Sequence, residues 1–288
     1  MRQLLLSAML LAAATTLHAQ QPTAPAPASP ITDHFAFRAG IFYGTAATTG
    51  EVDDPNAATP GTPFSLEDDF KLGPKAHQAR AEFMFRMRER GRLRVDMWEL
   101  NRSGVASPQN DIVYGGNTFC SAASSNAACI PGNADVVYSK FNWQQVNLTW
   151  TYSFLRRDRF ELGAGLGLHL IQAEAEARVP ANANHPQSVY EDFTGAGPFV
   201  TLALDGTWRI TRRFALSARG QYFKLKVSSV KGSLGDYHGD VQFRWRPNLA
   251  FGLGYLSTQS RLEVTNDNPN GFMQLRIHGP ELFVRASF

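Results

Sequence analysis

Residues 160–170, FELGAGLGLHL, alternate between two kinds of side chain. One set is apolar and the other is small or polar: Phe160, Leu162, Ala164, Leu166, Leu168 and Leu170 against Glu161, Gly163, Gly165, Gly167 and His169. A period of two is typical of a β-strand with unlike faces. A membrane barrel turns the apolar face to lipid, whereas a soluble sandwich turns it inward. The stretch therefore predicts a strand and leaves its environment open.

Stretches of this kind recur along the chain. We predict ten strands, over residues 33–48, 76–88, 91–105, 135–154, 158–178, 190–210, 213–230, 236–246, 249–265 and 270–288. Their connections alternate in length: 88–92, 155–159, 209–213 and 246–249 are short, and 50–75, 106–134, 178–190, 228–235 and 265–270 are longer. Short turns on one side and long loops on the other are typical of a transmembrane β-barrel with its turns in the periplasm.

Aromatic residues bracket three of the four short turns. They are Trp150, Tyr152, Phe154 and Phe160 at the second turn, Trp208 and Phe214 at the third, and Trp245 and Phe251 at the fourth. Such rings belong at a membrane interface, and a soluble sandwich has no reason to repeat them at one end. The sequence therefore predicts an all-β fold, a transmembrane antiparallel up-and-down β-barrel of ten strands. Eight or twelve strands stay open, because residues 62–72 could add a short strand or fold into the lumen.

The last ten residues, GPELFVRASF, alternate out to a terminal aromatic. They resemble the C-terminal signature strand of bacterial outer-membrane β-barrel proteins, a small porin-like superfamily of Gram-negative envelopes. The resemblance covers residues 33–288 as architecture and only this strand as a motif. It implies an outer-membrane location among lipid and lipopolysaccharide, and recognition of Phe288 as an assembly signal by the barrel-assembly machinery. It identifies a class of protein and no activity.

The first residues have the layout of a secretory signal peptide. Met1 and Arg2 precede an apolar run over residues 4–14, and a small-residue segment ends at Ala19. We expect cleavage there, with residues 1–19 as the signal peptide and 20–32 as a Pro/Ala-rich periplasmic tether. The chain nowhere has some 18 consecutive apolar residues, as a membrane-spanning helix would need. A helical membrane protein is therefore excluded.

Cys120 and Cys129 lie close together in a stretch rich in Ser, Ala, Asn and Gly. In an exported protein such a pair predicts a loop disulfide, because a metal site would need further ligands nearby. No metal or cofactor is expected. The net charge of +3 is mild, and the basic residues follow strands and turns. Nucleic acid is therefore not expected as a partner, and a monomer is the default expectation.

The second face of the strands would line the lumen. Its charged members form the expected network: Arg38, Arg80, Glu82, Arg94, Asp96, Glu161, Asp205, Arg219, Arg244 and Arg285, with Arg86 and Glu281 beside them. His169, next to glycines, is interpreted as a ring that fills space. Arginine outnumbers acid, and ten strands lie near the size at which side chains fill a barrel. The lumen is thus either a structural ion-pair plug or a narrow, anion-preferring pore.

Two places depart from simple alternation. Glu99 shares the outward parity of Leu93, Val95 and Met97, and a carboxylate on lipid is costly. Either a bulge near Trp98 or a position above the hydrocarbon would explain it. In the last strand, apolar residues occupy odd positions before His278 and even positions after Pro280. We predict a register change over residues 278–280.

An outer-membrane hydrolase is the alternative function, either an omptin-like protease or a lipid-modifying enzyme with its site at the outer rim. A ten-stranded barrel suggests the omptin proteases, which place an Asp-x-His pair on the fourth outer loop, opposite an acidic pair. Asp236 and His238 supply the first half, whereas the second loop has only isolated acids, Asp111 and Asp135. No catalytic residue is assigned. The acids of the first loop, Asp53, Asp54, Glu67, Asp68 and Asp69, are interpreted as solvated charge, with weak divalent-cation binding as the alternative.

Lys224 and Lys226 continue the outward parity of the strand that starts at Phe214. Ten residues at about 3.3 Å each, tilted by about 40°, climb roughly 25 Å, the height of the apolar band. These lysines should reach the outer headgroups. There they would either contact lipopolysaccharide phosphates or simply extend from the apolar band towards water.

Overall fold

The computed structural model describes residues 29–52, 61–114, 117–227, 230–264 and 271–288. Its strands are β1 (Phe35–Val52), β2 (Phe64–Ser65), β3 (Lys75–Met87), β4 (Gly91–Ala106), β5 (Ile112–Tyr114), β6 (Asn117–Phe119), β7 (Val137–Arg156), β8 (Phe160–Val179), β9 (Val189–Arg209), β10 (Phe214–Val227), β11 (Val230–Arg246), β12 (Leu249–Val264) and β13 (Gly271–Ser287). In this part of the chain, no helix is long and apolar enough to cross a membrane.

Ten of these strands close into one antiparallel barrel. Each long strand pairs with the next long strand along the chain, and β13 returns to pair with β1. The predicted all-β barrel of ten strands is confirmed. The short strand β2 attaches to β1 without entering the ring, and β5 and β6 form a separate hairpin.

The largest difference from the predicted strands is at β11, which was predicted to start at residue 236 and starts at Val230. The first six residues, VKGSLG, contain two glycines and a serine, which are typical of loops. They are held in strand geometry because β10 pairs with them on one side and β12 on the other. Tertiary pairing therefore overrides the local preference.

β7 changes the character of both its faces at one height. Its outward side chains are Tyr138, Lys140, Asn142 and Gln144 at the loop end, then Val146, Leu148, Trp150, Tyr152 and Phe154 at the turn end. Its inward side chains change in the opposite sense, from Val137, Ser139, Phe141 and Trp143 to Gln145, Asn147, Thr149, Thr151 and Ser153. Two environments therefore meet along this strand.

β8 makes the same change at the same level. Leu170 pairs with Val146, and the next outward residue, Gln172, pairs with Gln144. The turn-side half of the barrel is thus apolar outside and polar inside, as a membrane requires, and the loop-side half is the reverse, as in water. The turn-side half is the membrane band, and the other half projects beyond the membrane. Residues 172–179 of β8 add about 20 Å of height at about 3.3 Å per residue and a tilt of about 40°.

Outward tyrosines mark the outer edge of the membrane band. They are Tyr43, Tyr222, Tyr237 and Tyr255, each about half exposed. The next outward residues towards the loops are Thr45, Lys224, Gly235 and Ser257. With the aromatic girdle at the turns, this tyrosine belt gives the barrel two interfaces, and the sequence analysis had found only one.

The register change predicted at residues 278–280 is wrong. β13 keeps a single register with β12 from Leu249↔Ala286 to Val264↔Gly271. Leu275 and Ile277 are buried inside the barrel. They occupy inward positions because they lie in the projecting half, where the interior is apolar.

Glu99 lies outward without a bulge, because the pairing of β4 with β7 is continuous through Trp98. It pairs with Gln144, above the change of faces on β7. Asn101 Nδ2 and Gln144 Nε2 donate hydrogen bonds to its carboxylate at 3.0 and 3.2 Å. Of the two explanations for this acid, its position above the hydrocarbon is the one that the structure supports.

Residues 29–33 turn into the periplasmic mouth. Ser29, Ile31 and Asp33 are buried, and the N–H groups of Thr32 and Asp33 donate to the Ser29 carbonyl at 2.9 and 3.0 Å. The folded part therefore starts before the predicted boundary at residue 33, because Ile31 is buried and Asp33 forms ion pairs with two arginines. The rest of the predicted tether, residues 20–28, and the signal peptide over 1–19 lie outside the described residues.

Candidate functional site

The lumen of the membrane band is filled by ion pairs. Glu161 is the central carboxylate of the group nearest the turns. Its side chain has no solvent exposure. Arg86 donates to it from both Nη atoms, at 2.7 and 3.0 Å, and Ser153 Oγ donates at 2.6 Å. Arg92 lies 3.3 Å from Glu161 and 2.6 Å from Asp205. These bonds tie β3, β4, β8 and β9 together across the lumen.

A second cluster surrounds Arg38. Its Nη atoms lie 2.9 Å from Asp240 Oδ2 and 2.6 Å from Glu281 Oε2. His238 Nε2 is 3.0 Å from the same Glu281 oxygen. The guanidinium also lies 3.4 Å from the centre of the Phe283 ring, so both its edge and its face are occupied.

The remaining network residues lie between these clusters and at the mouth. Glu82 pairs with Arg94 and Arg219, Arg80 pairs with Asp96 at 2.7 Å, and Asp33 pairs with Arg244 at 2.7 Å and with Arg285 at 3.2 Å. Each of the ten residues proposed for the charge network thus lies in at least one ion pair.

The network is electrically balanced. Its arginines are Arg38, Arg80, Arg86, Arg92, Arg94, Arg219, Arg244 and Arg285; the lumen carboxylates are Asp33, Glu82, Asp96, Glu161, Asp205, Asp236, Asp240 and Glu281. Sequence reasoning missed Arg92, Asp33, Asp236 and Asp240. The two aspartates of β11 share the parity of Gln242 and Arg244, which was a usable signal. The predicted excess of arginine is therefore absent.

A polar layer separates the ion pairs from the apolar interior of the projecting half. His169 Nδ1 lies 3.1 Å from Gln145 Nε2, and its Nε2 lies 2.9 Å from Gln221 Oε1. Gly167 leaves the room for this, because a Cβ there would stand 2.0 Å from the Gln221 oxygen. The His169 ring therefore fills the space beside the glycine and forms hydrogen bonds with both glutamines.

Loop residues close the outer end of the barrel. Leu66, Phe70 and Leu72 of the β1–β3 loop, with Ile112 and Phe119 of the β4–β7 loop, join one apolar core inside the barrel. Residues 62–72 thus fold into the lumen. Glu67 of this segment forms an ion pair with Arg102 and accepts the Thr48 N–H at 2.7 Å, so it is not free for a cation. Asp53 and Asp54 lie outside the described residues.

A small cavity lies inside the membrane band. A cavity of about 40 Å³ lies among the ion pairs, lined by Arg38, Glu82, Arg92, Arg219 and Asp240, among others. A water molecule needs about 10 to 15 Å³ on this measure, so the cavity holds about three.

The closed ring with short turns at one end, long loops at the other and an apolar outer band decides the class. The fold is that of Gram-negative outer-membrane β-barrel proteins. The outer membrane protease OmpT of Escherichia coli has a TM-score of 0.55 and 10% identity, over 90% of this chain and 98% of OmpT. The toluene transporter TodX of Pseudomonas putida, with a TM-score of 0.36, is 10% identical over 91% of this chain and 92% of its own. Ail of Yersinia pestis, with a TM-score of 0.29, is 8% identical over 86% of this chain and 98% of its own.

These likenesses show the fold alone. No protein-family model and no curated protein matches the sequence. The activity of this outer-membrane barrel must therefore be argued from its own residues.

Asp236 and His238 do not lie at the rim of the outer-membrane barrel. β11 starts six residues earlier than predicted, so both side chains are buried in the lumen, where His238 contacts Glu281 and Arg38. The omptin-like half-site inferred from the sequence is thus a part of the lumen network.

The outer loops of the barrel meet at Asp135, which has no solvent exposure. It accepts hydrogen bonds from Cys120 N–H at 2.7 Å and from the amides of Asn182 and Asn184 at 2.9 Å each, and His185 Nε2 lies 2.9 Å away. Burial would raise the pKa of Asp135, but these hydrogen bonds outweigh it and hold the pKa below its ordinary value. We call these five residues the loop node.

The remaining predicted positions are found at the two ends of the barrel. Cys120 and Cys129 form a disulfide inside the β4–β7 loop. Lys224 and Lys226 face outward just beyond Tyr222 of the tyrosine belt. Phe288 is exposed, and its carbonyl accepts the N–H groups of His34 and Phe35 at 3.0 Å each.

Proposed function

We propose that the protein is a closed outer-membrane scaffold that carries a fixed loop platform above the membrane and conducts no ions. One observation carries this proposal: the lumen is filled from the Ile31 turn, through the ion pairs, to the apolar core under the loops. Export with cleavage of residues 1–19, assembly through Phe288 and contact of Lys224 and Lys226 with lipopolysaccharide phosphates belong to the same proposal.

The lumen gives little support to the alternative, an anion-preferring pore. Anion preference needs an excess of positive charge along an open path. Each arginine of the network is instead paired with a carboxylate, and the charges balance. The cavity among Arg38, Glu82 and Arg219 fits only a few water molecules.

Planar-bilayer recording of the refolded protein tests the proposal. We expect no steady steps at either of two salt concentrations, with insertion checked by the resistance of the barrel to protease. Phe70→Ala and Leu72→Ala should stay silent as well, because the ion pairs below them are untouched. Steady anion-selective steps from the unaltered protein would contradict the closed scaffold and restore the arginine-lined pore.

A hydrolase at the outer rim is the second candidate, and the loop node favours it. An acid from the β6–β7 connection and His185 from the β8–β9 loop converge at 2.9 Å. Against it, Asp135 accepts three further hydrogen bonds, from Cys120, Asn182 and Asn184, and no hydroxyl or thiol of the described residues bonds to the His185 ring.

Assays of peptide and phospholipid cleavage separate the two candidates. A scaffold gives no cleavage with the unaltered protein. A hydrolase that uses the loop node gives cleavage that His185→Ala removes and His238→Ala, the matched change in the lumen, leaves intact.

A further inference from the structure

The barrel wall is not sealed between β9 and β10. Their pairing runs from Arg209↔Ala215 to Leu202↔Tyr222 and stops there. β9 continues to Val189 with β8 as its partner, and β10 continues to Val227 with β11 as its partner. We call the region between these two diverging ends, residues 195–201 and 223–227, the seam.

The seam differs from the other interrupted ladder of the wall, between β3 and β4. That pairing also stops early, at Arg80↔Trp98. There the β1–β3 loop lines the inner face of β4 beside the opening, because a Cβ on the inward-facing Gly104 would meet the Phe70 carbonyl oxygen at 2.6 Å. In the seam, a Cβ on Gly197 would have only a Phe199 ring carbon within 4 Å, at 4.0 Å. Gly197 shares the inward parity of Phe199, so this free space lies on the lumen side of the seam.

Apolar side chains line the seam. Phe199 and Phe223 meet edge to face with ring centroids 5.9 Å apart, and both pack against the apolar core inside the projecting half. Leu225 shares the inward parity of Phe223, yet half of it is exposed. An inward side chain is accessible to this extent because the wall beside it is open. The seam therefore leads from the surface towards the apolar interior.

The height and the charge of the seam indicate what covers it. Tyr222 of the tyrosine belt is the last residue of β10 that pairs with β9, so the opening starts at the outer edge of the membrane band. Lys224 and Lys226 face outward at the edge of the seam. Neither forms an ion pair with another described residue. An apolar opening at a lipid surface, flanked by two cations, matches an apolar chain with an anionic head.

A peptide strand fits the seam less well. An extended peptide would need the free backbone groups of β9, but Pro198 cannot donate a hydrogen bond there. Lysines on a strand edge also disfavour pairing with another strand. The edges are therefore poor templates for an added strand.

We propose that the seam binds an anionic amphiphile, with its apolar chain between Phe199, Phe223 and Leu225 and its head at Lys224 and Lys226. A free fatty acid and a membrane lipid with an anionic head share this chemistry. Binding here is independent of whether the lumen conducts.

Fluorescence quenching by nitroxide-labelled chains tests the proposal. Leu225→Cys labelled with bimane reports on the seam, because both native cysteines are in the disulfide. Ser257→Cys, the first outward position above Tyr255 on the fully paired β12, is the matched control at the same height. The quenchers are doxyl-stearate added in neutral detergent and doxyl-labelled phosphatidylglycerol or phosphatidylcholine in nanodiscs.

We expect saturable quenching at position 225 and only weak, linear quenching at 257. Saturation with doxyl-stearate alone assigns a free fatty acid, and saturation with phosphatidylglycerol but not phosphatidylcholine assigns a membrane lipid. Lys224→Glu with Lys226→Glu should weaken the apparent affinity about tenfold or more, the effect of losing one charge-assisted hydrogen bond. If the double Glu variant does not refold, the double variant Lys224→Gln with Lys226→Gln takes its place in the assay. Equal quenching at both positions, or affinity that ignores both lysine changes, would overturn the proposal.

Discussion

Glu161 is the buried carboxylate on which two arginines depend. Glu161→Gln keeps the shape of the side chain but leaves Arg86 without its carboxylate partner and Arg92 with Asp205 alone. Breaking a buried pair from one side costs about 3 to 5 kcal/mol. We expect a loss of this size in the free energy of unfolding, measured by urea titration of the barrel refolded in liposomes.

An exposed ion pair gives the control for this change. Lys140 and Glu176 pair at 3.3 Å on the projecting half with 65% and 36% of their side chains exposed. Surface pairs contribute about 0 to 1 kcal/mol, so Lys140→Gln should change stability little. Equal effects of the two substitutions would show that the lumen network is not what stabilises the barrel.

The loop node should respond to acid. Since the folded pKa of Asp135 is lowered, its contribution to stability is complete above the unfolded value, about 3.9, and is lost as the pH falls through the folded pKa. The protection of the backbone amides of residues 181–185 against exchange, corrected for the intrinsic pH dependence of the exchange rate, should therefore be unchanged from pH 7 to about 4.5 and fall only below that range.

Asp135→Asn supplies the comparison for the acid response. The amide cannot accept all the hydrogen bonds that the carboxylate accepts, so the protection of amides 181–185 should already be low at neutral pH and change little with acid. An acid response of the same size in this variant would mean that another group titrates.

The β1–β3 loop is the element that closes the barrel from outside. Phe70 packs edge to face against Phe64 and Phe119, with ring centroids 5.7 and 6.4 Å apart. Phe70→Ala should cost about 3 to 5 kcal/mol of the free energy of unfolding, because it leaves a cavity in the core. Thermal unfolding followed by circular dichroism measures the loss.

A second apolar residue of the outer loops provides the control for this element. Ile130 is 44% exposed, so Ile130→Ala should have a small effect. If Phe70→Ala were equally mild, the loop would rest on the barrel without being part of its core.

The whole molecule is a barrel in two environments, and a matched pair of substitutions locates their boundary. Leu166 and Gln172 both face outward on β8, one below the change of faces and one above it. Leu166→Lys should destabilise the barrel in liposomes by about 2 to 4 kcal/mol, and Gln172→Lys by about 1 kcal/mol or less. Equal costs would contradict a projecting half.

The sequence by itself determined the barrel. Strict alternation, connections that alternate in length, and aromatics such as Trp150, Trp208 and Trp245 at one end are local features, and they follow from the need to satisfy every backbone group in lipid. Parity also placed Arg38, Glu161 and Arg219 inside, because a two-residue period fixes the face of every side chain once the strand is known.

Only the tertiary structure decided how high the membrane reaches and whether the lumen is open. In β13, the same alternate positions face inward along the whole strand. The apolar residues nevertheless face outward after Pro280 and inward before it, because the surroundings of the barrel change from lipid to water. The balance of charge also depended on distant partners: Asp33 meets Arg244 across 211 positions of the chain. Such contacts depend on how the ring closes and on what its loops fold into, and no local pattern encodes either.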